Sequence, residues 1–126
     1  MRLCADSISV SNEQSRLSYV EFHDDTKDYF FSIMRFKDEK EIVIMVLDQI
    51  NHKVENNITL ILKNNKLVAK LEKDLAKNLD EHEIYNIDLK KIQRYRSYIV
   101  EGLQEIFGNS PNLIIRREYK SKEKES

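Results

Sequence analysis

The chain has 126 residues, 40% of them hydrophobic and 34% charged, with a formal net charge of −1. That length suits a single domain able to bury a core, and the near-neutral balance gives no general pull toward nucleic acid or anionic lipid. One cysteine, Cys4, excludes an intramolecular disulfide and fits a reducing compartment, while two glycines cannot build a glycine-rich phosphate loop.

Residues 3–10, LCADSISV, form a loose strand pattern, and Asn12–Ser15 reads as a turn. Arg16–His23 is rich in β-formers, with Val20 and Phe22 on one side and Tyr19 on the other. A polar cluster at Asp24–Lys27 separates it from a strand at Tyr29–Phe36, and the charged turn Lys37–Lys40 leads into Ile42–Leu47. The unbroken apolar character of Ile42–Leu47 predicts a strand covered on both faces. Asp48–Asn56 reads as a polar connection with an extended piece at Lys53–Glu55.

The segment Asn57–Leu71, NITLILKNNKLVAKL, reads as a hairpin. A turn at Asn64-Asn65, with the positive φ that asparagine tolerates, sets Leu62 opposite Leu67, Leu60 opposite Ala69 and Ile58 opposite Leu71. All six then share one face. The opposite face pairs Ile61 with Val68 and Thr59 with Lys70, so it is only partly apolar.

Glu72–Leu79 is helix-prone, and Glu83–Ile87 alternates like a strand. Asp88 stands where an N-cap belongs, opening an amphipathic stretch to Gly108 in which Leu89, Ile92, Ile99, Leu103 and Ile106 share one face. Gly108 is placed to end the helix in the left-handed conformation, with Pro111 just beyond. Leu113–Ile115 adds a short edge strand. The expected fold is α+β: an antiparallel meander of about six strands, with the long helix lying on the hairpin's apolar face. Residues 1–115 make the domain, and 116–126 a disordered charged tail.

Few residues suggest chemistry. Cys4 reads as a small buried residue rather than a nucleophile. The pairs at His23-Asp24-Asp25 and Glu81-His82-Glu83 could serve a metal or acid–base site, or a small hydrolase, but neighbours on a strand point to opposite faces. No second ligand stands at a recognisable spacing, so neither a metal nor a cofactor is expected. Lys90, Lys91, Arg94, Tyr95, Arg96 and Tyr98 mix cations with aromatics, a combination that can bind single-stranded nucleic acid. The solvated face of the helix is the plainer account, and no nucleic-acid partner is expected.

Charge is unevenly spread: residues 1–60 carry 7 Lys+Arg against 11 Asp+Glu, and residues 61–126 carry 14 against 11. The acidic set is Glu21, Asp24, Asp25 and Asp28, then Asp38, Glu39 and Glu41. These are either solvated charged turns or an acidic patch that docks a basic partner, with Tyr29 as an aromatic anchor. A meander would place the two groups at opposite ends of the third strand.

The segments FFSIMRF (Phe30–Phe36), EIVIMVL (Glu41–Leu47), NITLILKNNKLVAKL, KDLAKNL (Lys73–Leu79), EIYNIDL (Glu83–Leu89) and EGLQEIFGN (Glu101–Asn109) stand in an order that resembles a known family. It is the tenth numbered family of bacterial immunity proteins, which accompany polymorphic and contact-dependent toxins. The resemblance implies a cytoplasmic, non-catalytic protein, a monomer or weak dimer, that occludes a cognate toxin. A secretion-type chaperone or adaptor is the alternative. The N-terminus MRLCADSISVS has no apolar run of signal-peptide length, and the longest apolar run, Ile42–Leu47, is far below the roughly 20 residues of a membrane span.

Overall fold

Strands that are apolar on one side only must close on a partner layer, and here the partner is a second sheet. The computed structural model describes residues 1–11, 14, 16–47, 50–54 and 56–116. Strands β2 (Ser7–Val10), β3 (Leu17–Asp24), β4 (Tyr29–Phe36), β5 (Ile42–Val46) and β6 (Ile50–Val54) form an antiparallel meander in chain order. The other sheet gathers β1 (Arg2–Cys4), β7 (Ile58–Leu62), β8 (Lys66–Leu71), β9 (Ile84–Asp88) and β10 (Leu113–Ile115) in the order β1-β9-β8-β7-β10. The α+β class stands, but as two five-stranded sheets rather than about six strands in one. The second sheet is mixed, because β1 runs parallel to β9 and β10 parallel to β7.

The hairpin register is the one the pattern predicts, with Leu62↔Leu67, Leu60↔Ala69 and Ile58↔Leu71. Its turn differs. Positive φ among the described non-glycine residues occurs at Asp28, Leu47 and Glu81, not at the two asparagines. The loop is closed instead by the Lys63 N–H donating to the Lys66 carbonyl at 2.8 Å.

Leu60, Leu67, Ala69, Tyr85 and Ile87 from the mixed sheet share one core with Val20, Phe22, Phe31, Ile33, Ile44 and Val46 from the meander. The rings of Phe31 and Tyr85 lie 4.8 Å apart between centroids. β5 is therefore covered on one side: Ile44 and Val46 are buried, while Val43 and Met45 are half-exposed on the other. The stretch read as a polar connection contains β6, the meander's last strand; residues 48, 49 and 55 lie outside the described set, as do most of the predicted turn at 12–15 and the predicted tail from 117 onward.

After the short helix α1 (Lys73–Lys77) and β9, the Asp88 carboxylate accepts from the Lys90 N–H at 2.8 Å, but Asp88 is the last residue of β9 and the N-cap position falls one residue later, on Leu89. What it opens is a 3₁₀ segment, Lys90–Tyr95, broken at Ile92 (φ −118, ψ 22). Leu89, Ile92 and Tyr95 are spaced by three, which suits three residues per turn. The α-helix α2 (Arg96–Phe107) then buries Ile99, Leu103, Ile106 and Phe107. Gly108 closes it at φ 60 and ψ −128, a glycine conformation other than the left-handed helical one expected.

α2 lies on the meander rather than over the hairpin. A Cβ built on Gly102 would stand 2.6 Å from Val20 Cγ2 and 3.2 Å from Val10 Cγ1, so only glycine permits this approach. The Ser18 hydroxyl donates to the Glu105 carboxylate. Arg35 donates to the carbonyls of Ile106 (2.9 Å) and Glu105 (2.8 Å), satisfying the end of the helix with a cation where its dipole is negative. No helix among the described residues is long and apolar enough to cross a membrane.

Two substitutions test this packing. Gly102→Ala forces apart the helix and β3 and is expected to destabilise by about 1–3 kcal/mol, while Gln104→Ala, on the exposed side, leaves the urea midpoint unchanged. Leu103→Asp places an unpaired charge in the core and is expected to abolish cooperative unfolding; a wild-type midpoint for it would contradict the assigned packing.

Candidate functional surface

The side chains of the meander that do not enter the core form its outer face. Cross-strand register arranges them in rows: Leu17 beside Phe36; Tyr19, Met34, Val43 and Lys53; Glu21, Ser32, Met45 and Asn51; and His23 beside Phe30. Tyr19, Phe30, Met34, Val43 and Met45 are half-buried, and Phe36 is 51% exposed. None of these belongs to the core cluster. A contiguous apolar face with polar edges is the kind of surface through which proteins meet one another, and methionine and aromatic side chains adapt well to a partner's shape.

The acidic residues bound this face at two ends. Asp25 and Asp28 lie in the β3–β4 turn, and Asp38, Glu39 and Glu41 in the β4–β5 connection, about 23 Å away at about 3.3 Å per residue of β4. All five are exposed. Glu41 pairs with Lys53 at 3.1 Å, and the Glu39 carbonyl accepts from Arg35 at 2.9 Å. Glu21 sits mid-strand on the outer face and accepts from the Ser32 hydroxyl at 2.9 Å.

Two residues of the expected contact set, Asp24 and the anchor Tyr29, belong elsewhere. Asp24 is 3% exposed, and its carboxylate accepts from the Cys4 N–H at 2.8 Å and the Lys27 N–H at 3.1 Å. It joins the end of β1 to the β3–β4 turn, tying one sheet to the other. Burial pushes the Asp24 carboxyl upward, but the N–H groups of Cys4, Lys27 and Thr26 outweigh it and hold it below 3.8. Tyr29 is 5% exposed; its hydroxyl donates to Asp80 at 2.9 Å and meets the Tyr85 hydroxyl at 2.8 Å between the sheets. Burial, then these two hydrogen bonds, raise the Tyr29 phenol far above its usual range, and burial raises Tyr85 as well. Asp24 and Tyr29 are interior, so neither is available as an exposed contact or anchor.

His23 is the residue whose surroundings strand geometry underestimated. The turn brings Asp25 to its Nδ1 at 2.8 Å and Asp28 to its Nε2 at 3.3 Å, and its ring stacks on Phe30 at 4.0 Å. His82 lies 3.6 Å from Asp80 and edge-on to Tyr85. No group of three or more His, Cys, Asp or Glu side chains among the described residues could hold a metal ion.

A second polar tie was absent from the sequence reading. Asp6 accepts from Lys91 Nζ at 2.7 Å and from the Asp25 N–H at 2.7 Å. The Lys91 hydrogen bond, followed by that of Asp25, lowers the Asp6 carboxyl, and Asp6 in turn raises the Lys91 ammonium. Residues 85 positions apart leave no trace in local pattern. Comparison of the chain with protein-family models, with curated proteins and with solved structures gave no match.

The Asp24 tie has a definite pH dependence. A carboxyl depressed in the folded state stabilises above its unfolded value of 3.8 and loses that contribution as pH falls through the folded value. Unfolding free energy measured by urea titration from about pH 5 downward is expected to fall less steeply for Asp24→Asn than for wild type; parallel curves would remove Asp24 from the acid response.

Proposed function

We propose that this protein works by contact rather than chemistry, as an immunity protein that binds a bacterial toxin domain and neutralises it. The observation that carries the reading is the outer face of the meander, an apolar patch built on Tyr19, Met34, Val43 and Met45 and bounded at both ends by exposed carboxylates. Such a surface suits a partner that is apolar at its centre and basic at its rim, where charge complementarity speeds encounter more than it deepens affinity. The resemblance of segments 30–36, 41–47 and 57–71 to the tenth immunity-protein family supports the choice of a toxin as that partner. These segments form β4, β5 and the β7–β8 hairpin, so two of the three strands beneath the patch come from them. The protein acts in the cytoplasm, needs no cofactor and binds its target one to one.

The contact set is the half-buried Glu21 with the exposed Asp25, Asp28, Asp38, Glu39 and Glu41 around the apolar patch. A small secretion-type chaperone is the second reading, favoured by the same uncovered apolar face, and it differs in expecting a dimer that holds an extended client.

Co-expression with the product of the adjacent upstream gene, read by growth and by co-purification, separates these. Toxicity of that product alone, relief by this protein and a one-to-one complex are expected. Met34→Glu with Met45→Glu is expected to lose the complex, and Asp25→Lys with Asp28→Lys to slow its formation about tenfold at low salt, both with unchanged unfolding midpoints. A harmless or unbound neighbour rules against the toxin reading, and a dimer of this chain on sizing favours the chaperone.

A further inference from the structure

On the opposite side of the meander from the apolar patch, the free edge of β2 borders a groove of about 590 Å³. β2 supplies Ile8 and Val10 to it, Asp6 stands just before that strand, and the helical segment supplies Lys91, Arg94, Tyr95 and Tyr98. Three observations define what fits there.

The first is the backbone. β2 is the outermost strand of its sheet. Across its ladder the Ser11 N–H donates to the Tyr19 carbonyl at 3.1 Å. Antiparallel alternation then turns the N–H and C=O of Val10 and Ile8 away from β3. These groups meet no backbone partner among the described residues, which makes the edge a template for another strand.

The second is the side chains. Ile8 pairs with Phe22 and Val10 with Val20, so both face the inner side of the sheet. A strand added beside them would place every second side chain in the groove, beneath Tyr95 and Tyr98. Those rings lie 6.4 Å apart, and Tyr98 is 58% exposed.

The third is charge. Lys91 is matched by Asp6 at 2.7 Å. Arg94, whose guanidinium lies 5.0 Å over the Tyr95 ring, has no carboxylate partner among the described residues. It is left as a cation on the rim.

We propose that this groove receives an extended, acidic segment of a partner protein as an added strand beside β2. The segment's backbone pairs with Ile8 and Val10, and of the alternate side chains that enter the groove those between Val10 and the tyrosines are apolar and one at the rim is a carboxylate that meets Arg94. The free strand edge favours a peptide over single-stranded nucleic acid, since its donors and acceptors match another backbone. None of these residues lies on the apolar patch, so the groove stands independently of the toxin reading.

The probe is a fluorescein-labelled octapeptide alternating valine with threonine, with glutamate in place of the last valine so that it shares the groove-facing side, titrated by anisotropy against the full chain, with hydrogen exchange followed at individual amides. Saturable binding, with new protection at the Ile8 and Val10 amides, is expected. Arg94→Glu should weaken it about tenfold, as should N-methylation of alternate peptide amides, while Met34→Glu leaves it unchanged. Absence of binding at millimolar peptide overturns the proposal, as does indifference to both N-methylation and Arg94→Glu. Tighter binding of an oligothymidylate of similar length at the same salt overturns it in favour of nucleic acid. Protection of Ile8 and Val10 in a peptide-free dimer overturns it in favour of a second copy of the chain.

Discussion

Each sheet of this protein turns its more apolar side inward, and the closing of those two sides on each other is the constraint that everything else satisfies. Phe22, Phe31, Ile33 and Ile44 from the meander and Leu60, Leu67, Tyr85 and Ile87 from the mixed sheet are all buried. None of them would find cover within its own sheet. Polar groups caught between the layers are paired across them: Tyr29 with Tyr85 and Asp80, and Asp24 with the Cys4 amide. α2 completes the enclosure over β3, at a distance that Gly102 alone allows.

Local pattern made much of this legible. Period two fixed the hairpin register residue by residue, and the bounds Tyr29–Phe36 and Leu113–Ile115 agree with β4 and β10. The division into two sheets was not legible, because nothing in a strand's own alternation says which neighbour it joins. The N-terminal stretch shows the difficulty: read as one loose strand, it changes sheets at Ala5-Asp6, with β1 on one side and β2 on the other. The helix's resting place was hidden for the same reason, since its apolar stripe fits any apolar face.

The acidic set was legible as charge but not as exposure. Asp24 shares parity with Val20 and Phe22, and its ladder partner Tyr29 shares parity with Phe31 and Ile33. Alternation carried one step past His23 would have placed Asp24 inside, and alternation within Tyr29–Phe36 itself would have placed Tyr29 there. The patch arises from the converse: Val43 and Met45 interrupt no apolar run, so β5 read as buried on both sides although no layer among the described residues lies on one of them. What remains outside, Met34 and Met45 between carboxylate-bearing turns, is a surface whose chemistry is recognition.

The connectivity also orders events in time. The meander is drawn from one continuous stretch, residues 7–54, whose strands each pair with the next. The mixed sheet is drawn from three separate stretches, and its β1 strand pairs Arg2 with Asn86 and Leu3 with Ile87. During synthesis all the residues of the meander, 7–54, are made before Asn86 and Ile87, which receive β1. The meander's inner face therefore has no covering layer until the hairpin, β9 and α2 emerge. Closing loops of such length slows folding more than it costs stability. The β1 strand, made ahead of the whole meander, thus depends for its place on residues made after it.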